Sequence, residues 1–128
     1  MAKATQLTIS VANRPGTMAH VARVLGDAKV DIRAFLTRSS GSRGAVEVVV
    51  DNASRAKKAL HREGLRYTEQ AVLHVQLPNK PGALGNFAGK LAARGINVTT
   101  GYATTNEGAK KASIVLAVSK LAAAAKVR

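Results

Sequence analysis

The chain contains one pattern twice. The stretch Asn13-Arg14-Pro15-Gly16 returns as Asn79-Lys80-Pro81-Gly82, 66 positions further on, and the residues on either side return at the same spacing. A fixed-period repeat of this length marks a duplicated supersecondary unit, so the fold must be one that about 60 residues can build. Leu7, Ile9 and Val11 alternate with polar or small residues, the period of a half-buried strand, and Leu73, Val75 and Leu77 repeat them. After each Pro-Gly the apolar period lengthens. Met18, Val21, Ala22, Leu25 and Ala28 in the first copy, and Leu84, Phe87, Ala88 and Leu91 in the second, predict an amphipathic helix whose apolar stripe faces a sheet.

Val30 with Ile32, and Ile96 with Val98, open a second strand in each copy, with hairpin partners at 46–50 and 114–118. Between the partners the offset grows to 68, which adds two residues to the second hairpin loop. The first connection, residues 39–44, is rich in Ser and Gly but lacks the spacing and the Lys-Ser/Thr of a phosphate-binding loop, so it reads as a plain turn. Asp51 or Asn52 is expected to cap a second helix that runs to about Glu63 and stops at Gly64, with Ser119 capping its counterpart. The first copy continues through residues 65–70 into the opening strand of the second. The second ends at Arg128, which aligns with Leu60, so its closing strand is missing. Each full copy reads β-α-β-β-α-β, an α+β fold of two ferredoxin-like modules, 1–70 and 71–128. The vacant edge is expected to be filled by residues 65–71 or by a second chain, which makes a homodimer the expected assembly.

Composition narrows the chemistry. The chain has no Cys, which removes disulfides, thiolate nucleophiles and Cys-based metal sites. No run of about 20 apolar residues exists and the N-terminus lacks the regions of a signal peptide, so no membrane partner is expected and a cytoplasmic location is. His20, His61 and His74 fall on different elements without the spacing of a metal site, and carboxylates are few, so neither an enzyme nor a cofactor is expected. His20 is a candidate for the pocket beside the first Pro-Gly turn, and His74 should face away from the helices.

The net charge of +13 is the compositional outlier. Its tight clusters are Arg55, Lys57, Lys58 and Arg62, and then Lys110 with Lys111. Proteins that read RNA on a sheet of this kind stack bases on strand aromatics, and the third strands here carry none. The charge therefore reads as a solvated basic surface suited to an acidic partner rather than to a nucleic acid.

The repeated turn is the candidate site. Pro fixes its own φ, Gly permits a tight turn, and the helix that follows presents unpaired backbone N–H groups. Those groups and the helix dipole suit a small anion such as the carboxylate of an amino acid. Asn13 or Asn79 can accept a backbone N–H or meet a ligand, and Arg14 or Lys80 adds charge.

With these residues in view the chain resembles a tandem ACT-domain protein. The likeness rests on Asn13-Arg14-Pro15-Gly16-Thr17-Met18 with Val30-Asp31-Ile32, and on Asn79-Lys80-Pro81-Gly82-Ala83-Leu84 with Gly95-Ile96-Asn97-Val98. The resemblance implies a non-enzymatic regulatory sensor whose modules pair side by side. It implies an amino acid held between the Pro-Gly turn of one module and the second strand of its partner. Asp31 and Asn97 would lie where the family often holds a ligand through an Asn side chain. The first copy has Lys29 for Gly95 and Asp31 for Asn97, so the two sites are expected to be unequal. With no output domain on the chain, the signal would pass to a separate effector protein. The alternatives are a scaffold whose modules pair without a ligand, and a basic protein that binds nucleic acid or an acidic partner through its charge.

Overall fold

A computed structural model describes residues 2–127. The described chain divides into two compact units, residues 5–70 and residues 71–127 together with 2–4. In chain order the elements are β1 (Ala2–Ala12), α1 (Thr17–Asp27), β2 (Ile32–Ser40), β3 (Arg43–Val50), α2 (Ala53–Arg62), β4 (Tyr67–Pro78), α3 (Ala83–Ala93), β5 (Val98–Thr104), β6 (Lys111–Val118) and α4 (Leu121–Ala124).

In the first unit the strands lie in the order β2-β3-β1, with the first residues of β4 beyond β1. There the Ser10 N–H donates to the Arg66 carbonyl at 3.0 Å. β1 runs antiparallel to β3 with Leu7 opposite Val48 and Ile9 opposite Val46, so the apolar residues of both strands share the face that α1 and α2 cover. Leu7, Ile9, Val21, Leu25, Val48 and Leu60 lie at the centre of this core and are wholly buried. Val24 joins them from α1. Beside Val21 and Leu25 it broadens the stripe expected from the helical period.

The second unit repeats the order as β5-β6-β4. Leu73, Val75 and Leu77 of β4 pack with Phe87, Leu91, Ile114 and Leu116. Residues 2–4, the start of β1, belong to this unit, and among the described residues β4 is the strand of the unit that lies beside β1. Residues 67–70 serve the first unit instead, so the expected filling of the vacant edge by residues 65–71 is not the arrangement found.

The helix ends differ from expectation in detail. Asn52 is the cap of α2, accepting the Arg55 N–H at 3.0 Å, whereas Asp51 accepts the Asp31 N–H at 2.9 Å. Ser119 occupies the place of Asp51, not of Asn52. Its hydroxyl accepts the Asn97 N–H at 3.0 Å, and α4 starts from Lys120 without a side-chain cap. On α3, Leu84 and Ala88 are exposed, so the stripe expected to face the sheet narrows to Phe87 and Leu91. The helix layer over this unit is correspondingly smaller, because α4 is a single turn of four residues. Between β2 and β3 the strands continue up to a two-residue turn at Gly41-Ser42, with Gly41 left-handed at φ 61°. The Ser- and Gly-rich segment is therefore a tight hairpin.

Candidate functional site

Each copy builds the same junction between its first strand and first helix. The Arg14 N–H reaches the Ala12 carbonyl and the Lys80 N–H the Pro78 carbonyl, both at 3.0 Å, which reverses the chain within three residues. Gly16 and Gly82 then stand at the helix starts with φ 93° and 88°, a backbone region that disfavours any side chain. Their carbonyls accept the first helical hydrogen bonds, from the N–H groups of His20 and Asn86, each at 2.9 Å. A glycine cap has no side chain to satisfy the N–H groups of the first turn, and neither first turn holds an acidic residue.

Asn13 and Asn79 hold the turn to the neighbouring hairpin. The Asn13 amide donates to the Gly41 carbonyl at 2.8 Å, and its backbone N–H to the Ser42 carbonyl at 2.9 Å. The Asn79 amide donates to the Ala109 carbonyl at 2.9 Å, and its backbone N–H to the Lys110 carbonyl at 2.9 Å. Because the side-chain nitrogen is already engaged, the asparagines act first as latches, donating to hairpin carbonyls rather than accepting a backbone N–H as the sequence suggested.

Beside each latch lies a hollow. The first, about 240 Å³, is bounded by Val11, Asn13, Thr17 and Met18 and by the hairpin residues Thr37, Ser39 and Ala45. The second, about 260 Å³, is bounded by Leu77, Asn79, Lys80, Pro81, Leu84, Ala112 and Ile114. The hairpin walls are the part of the site that sequence reasoning missed. The strands themselves were legible, but the register that brings 37–39 and 112–114 level with the turn was not. Arg43, opposite Ala12, and Lys111, opposite Pro78, place further positive charge at the same ends.

Asp31 and Ile32, and likewise Asn97 and Val98, do not meet the turn of their own unit. Ile32 is level with Val50, whereas the turn leaves β1 level with Arg43. Seven residues of strand separate those levels, about 23 Å. Val98, opposite Val118, stands equally far from Pro78, opposite Lys111. Asp31 and Asn97 are exposed at the strand starts, where their backbones are tied to Asp51 and Ser119.

His20 lines a groove between α1 and α2 with Arg23, Asp27 and Arg62 rather than the hollow at the turn. His74 faces away from the helices, as its strand period requires, and its Nε2 lies 2.6 Å from the Ser113 hydroxyl. Among the described residues no three His, Asp or Glu side chains gather in a way that would hold a metal, and no helix is long and apolar enough to cross a membrane.

Comparison with known proteins relates the first of these junctions to a family. The ACT-domain family model matches residues 5–61, which span the first turn, its hairpin and most of α2. The fold is shared with the protein BT0572 of Bacteroides thetaiotaomicron at 26% identity and a TM-score of 0.88, over 95% of this chain and 83% of that one. It is also shared with the regulatory subunit of aspartate kinase from Thermus thermophilus at 20% identity and a TM-score of 0.69, over 89% and 82% of the two chains. The corresponding subunit from Thermus flavus aligns at 19% identity and a TM-score of 0.62, with the same coverage. No curated protein matches the chain. Residues 5–61 are similar to the ACT-domain family, and the second unit repeats the same strand order and the same Asn-x-Pro-Gly junction.

Proposed function

We propose that the chain is a cytoplasmic regulatory protein of two ACT modules that binds an amino acid or a similar small carboxylate at its Pro-Gly turns. The observation that carries this reading is the duplication of an open junction. In both copies a latched Asn and a left-handed Gly leave the uncapped start of a helix beside a hollow of about 240–260 Å³. A local turn has no need to be rebuilt with both its latch and its cavity. The family match supports a regulatory role, since ACT domains are small-ligand modules. Asp31-Ile32 and Asn97-Val98 are proposed to complete the sites from a paired module, as in a homodimer, because within one unit they lie too far from the turn. The ligand would favour one arrangement of paired modules over another, and that difference in affinity is what an effector protein would read.

The test is a thermal-shift screen of the twenty amino acids on wild type and on Gly82→Asn. Asn is chosen because it tolerates the left-handed backbone better than other side chains, and a Cβ at this position meets no other atom within 4 Å. A ligand at about 100 times its dissociation constant stabilises by about 2.7 kcal/mol, a shift of several degrees for a chain of this size. The expected result is a shift from one amino acid or one chemical group of them that Gly82→Asn reduces without unfolding the protein. A wild type that responds to none sinks the reading in favour of a ligand-free scaffold.

A further inference from the structure

The two hollows share a frame but not a lining, and we propose that the second selects a small carboxylate carrying a branched aliphatic or phenyl group. This rests on the reading that the turns bind ligand, and it assigns the chemical class that the second turn takes. Polar side chains of Asn13, Thr17, Thr37 and Ser39 line much of the first hollow. The walls of the second are Leu77, Pro81, Ala83, Leu84, Ala112 and Ile114. Its one uncharged polar side chain, Asn79, already donates its amide to the Ala109 carbonyl.

Leu84 stands at the mouth of this hollow with 52% of its surface exposed, in the first turn of α3. Removing exposed aliphatic surface from water is favourable, and a ligand with an apolar group is what would bury it here. The size fits. An apolar cavity of about 150 Å³ accepts benzene, so a hollow of about 260 Å³ has room for an isobutyl or phenyl group.

The charges fix the other end of the ligand. Lys80 lines the hollow, and no Asp or Glu side chain does. A carboxylate therefore meets a cation, while an ammonium group meets no counter-charge from the hollow itself. α-Amino acids and the matching 2-keto acids both satisfy this description, and the experiment separates them.

The full chain is titrated calorimetrically with L-leucine, L-phenylalanine and the 2-keto acid of leucine, and with L-alanine, L-aspartate and L-lysine as contrasts. The same titrations are run on Leu84→Ser and on Phe35→Ser, an exposed apolar side chain that lines neither hollow. The proposal expects at least one of the apolar carboxylates to bind more tightly than the contrasts. It expects Leu84→Ser to weaken that binding about tenfold or more, and Phe35→Ser to leave it within about twofold. Leucine binding without its keto acid, or the reverse, names the source and supports the proposal in either case. Binding of aspartate or lysine alone, or an apolar ligand indifferent to Leu84→Ser, overturns this assignment and leaves the ligand-binding reading standing. Silence from all six compounds and from the wider screen overturns both.

Discussion

Lys29 and Gly95 occupy the same place after the first helix of each copy, and both adopt a left-handed backbone, with φ 63° and 68°. The surrounding bonds explain why. The Val30 N–H reaches back to the Leu25 carbonyl and the Ile96 N–H to the Leu91 carbonyl, each at 3.0 Å. A helix closed in this way needs its next residue left-handed, and glycine is the residue that takes that shape without strain. For a residue with a Cβ the cost is about 1–2 kcal/mol, of which the extra unfolded-state freedom of glycine offsets about 0.5–1. Lys29→Gly is therefore expected to raise unfolding stability by about 0.5–1 kcal/mol, and Gly95→Lys to lower it by a similar amount, measured by urea titration. Equal effects of the same sign from both changes would refute the account. The sequence revealed that the two copies differ here. That Lys29 must be left-handed came from the closing bonds of α1.

At the scale of elements, β1 and β4 are long strands of 11 and 12 residues, each divided between the two units. The strand period identified both, because Leu7, Ile9 and Val11 and their counterparts face one core throughout. Where each strand changes allegiance was not legible, since alternation continues through the change without a break in composition. Residues 2–4 belong to the second unit, where β1 is hydrogen-bonded beside β4. Deleting them removes the backbone hydrogen bonds they make there, each worth about 0.5–1.5 kcal/mol net. The deletion is expected to lower stability by about 1–3 kcal/mol and to speed amide exchange in β4, most of all over residues 71–75, while the core strands of the first unit keep their protection. Unchanged exchange in β4 would show that the segment contributes nothing there.

For the whole molecule the governing quantity is charge. Lys and Arg outnumber Asp and Glu by 20 to 7, and two of the carboxylates, Glu47 and Glu69, are held in ion pairs with Arg38 and Lys57. Glu47 is buried, with Arg38 at 2.8 Å, whereas the Lys57–Glu69 pair at 3.1 Å is partly solvated and worth little. Net self-repulsion therefore opposes the folded state. Raising salt from about 0.01 to about 0.15 M shortens the Debye length from about 30 to about 8 Å, so the thermal midpoint is expected to rise in sodium chloride. A midpoint that falls over this range would mean that attractive pairs outweigh the repulsion. The same salt series separates a specific ligand, whose binding to the turn survives screening, from polyanions that bind only to the excess charge.

The duplication, the β-α-β-β order, the Pro-Gly junctions and the apolar cores were all written in the chain, because period and turn chemistry are local properties that residues a few positions apart can specify. The latch from Asn13 to the hairpin, the walls at Thr37 and Ala112, the exposure of Leu84 and the grouping of residues 2–4 with the second unit were not. Each depends on which distant backbone lies alongside. That is set by strand register and by competition between segments for one edge, and those are resolved only when the folded chain brings them together.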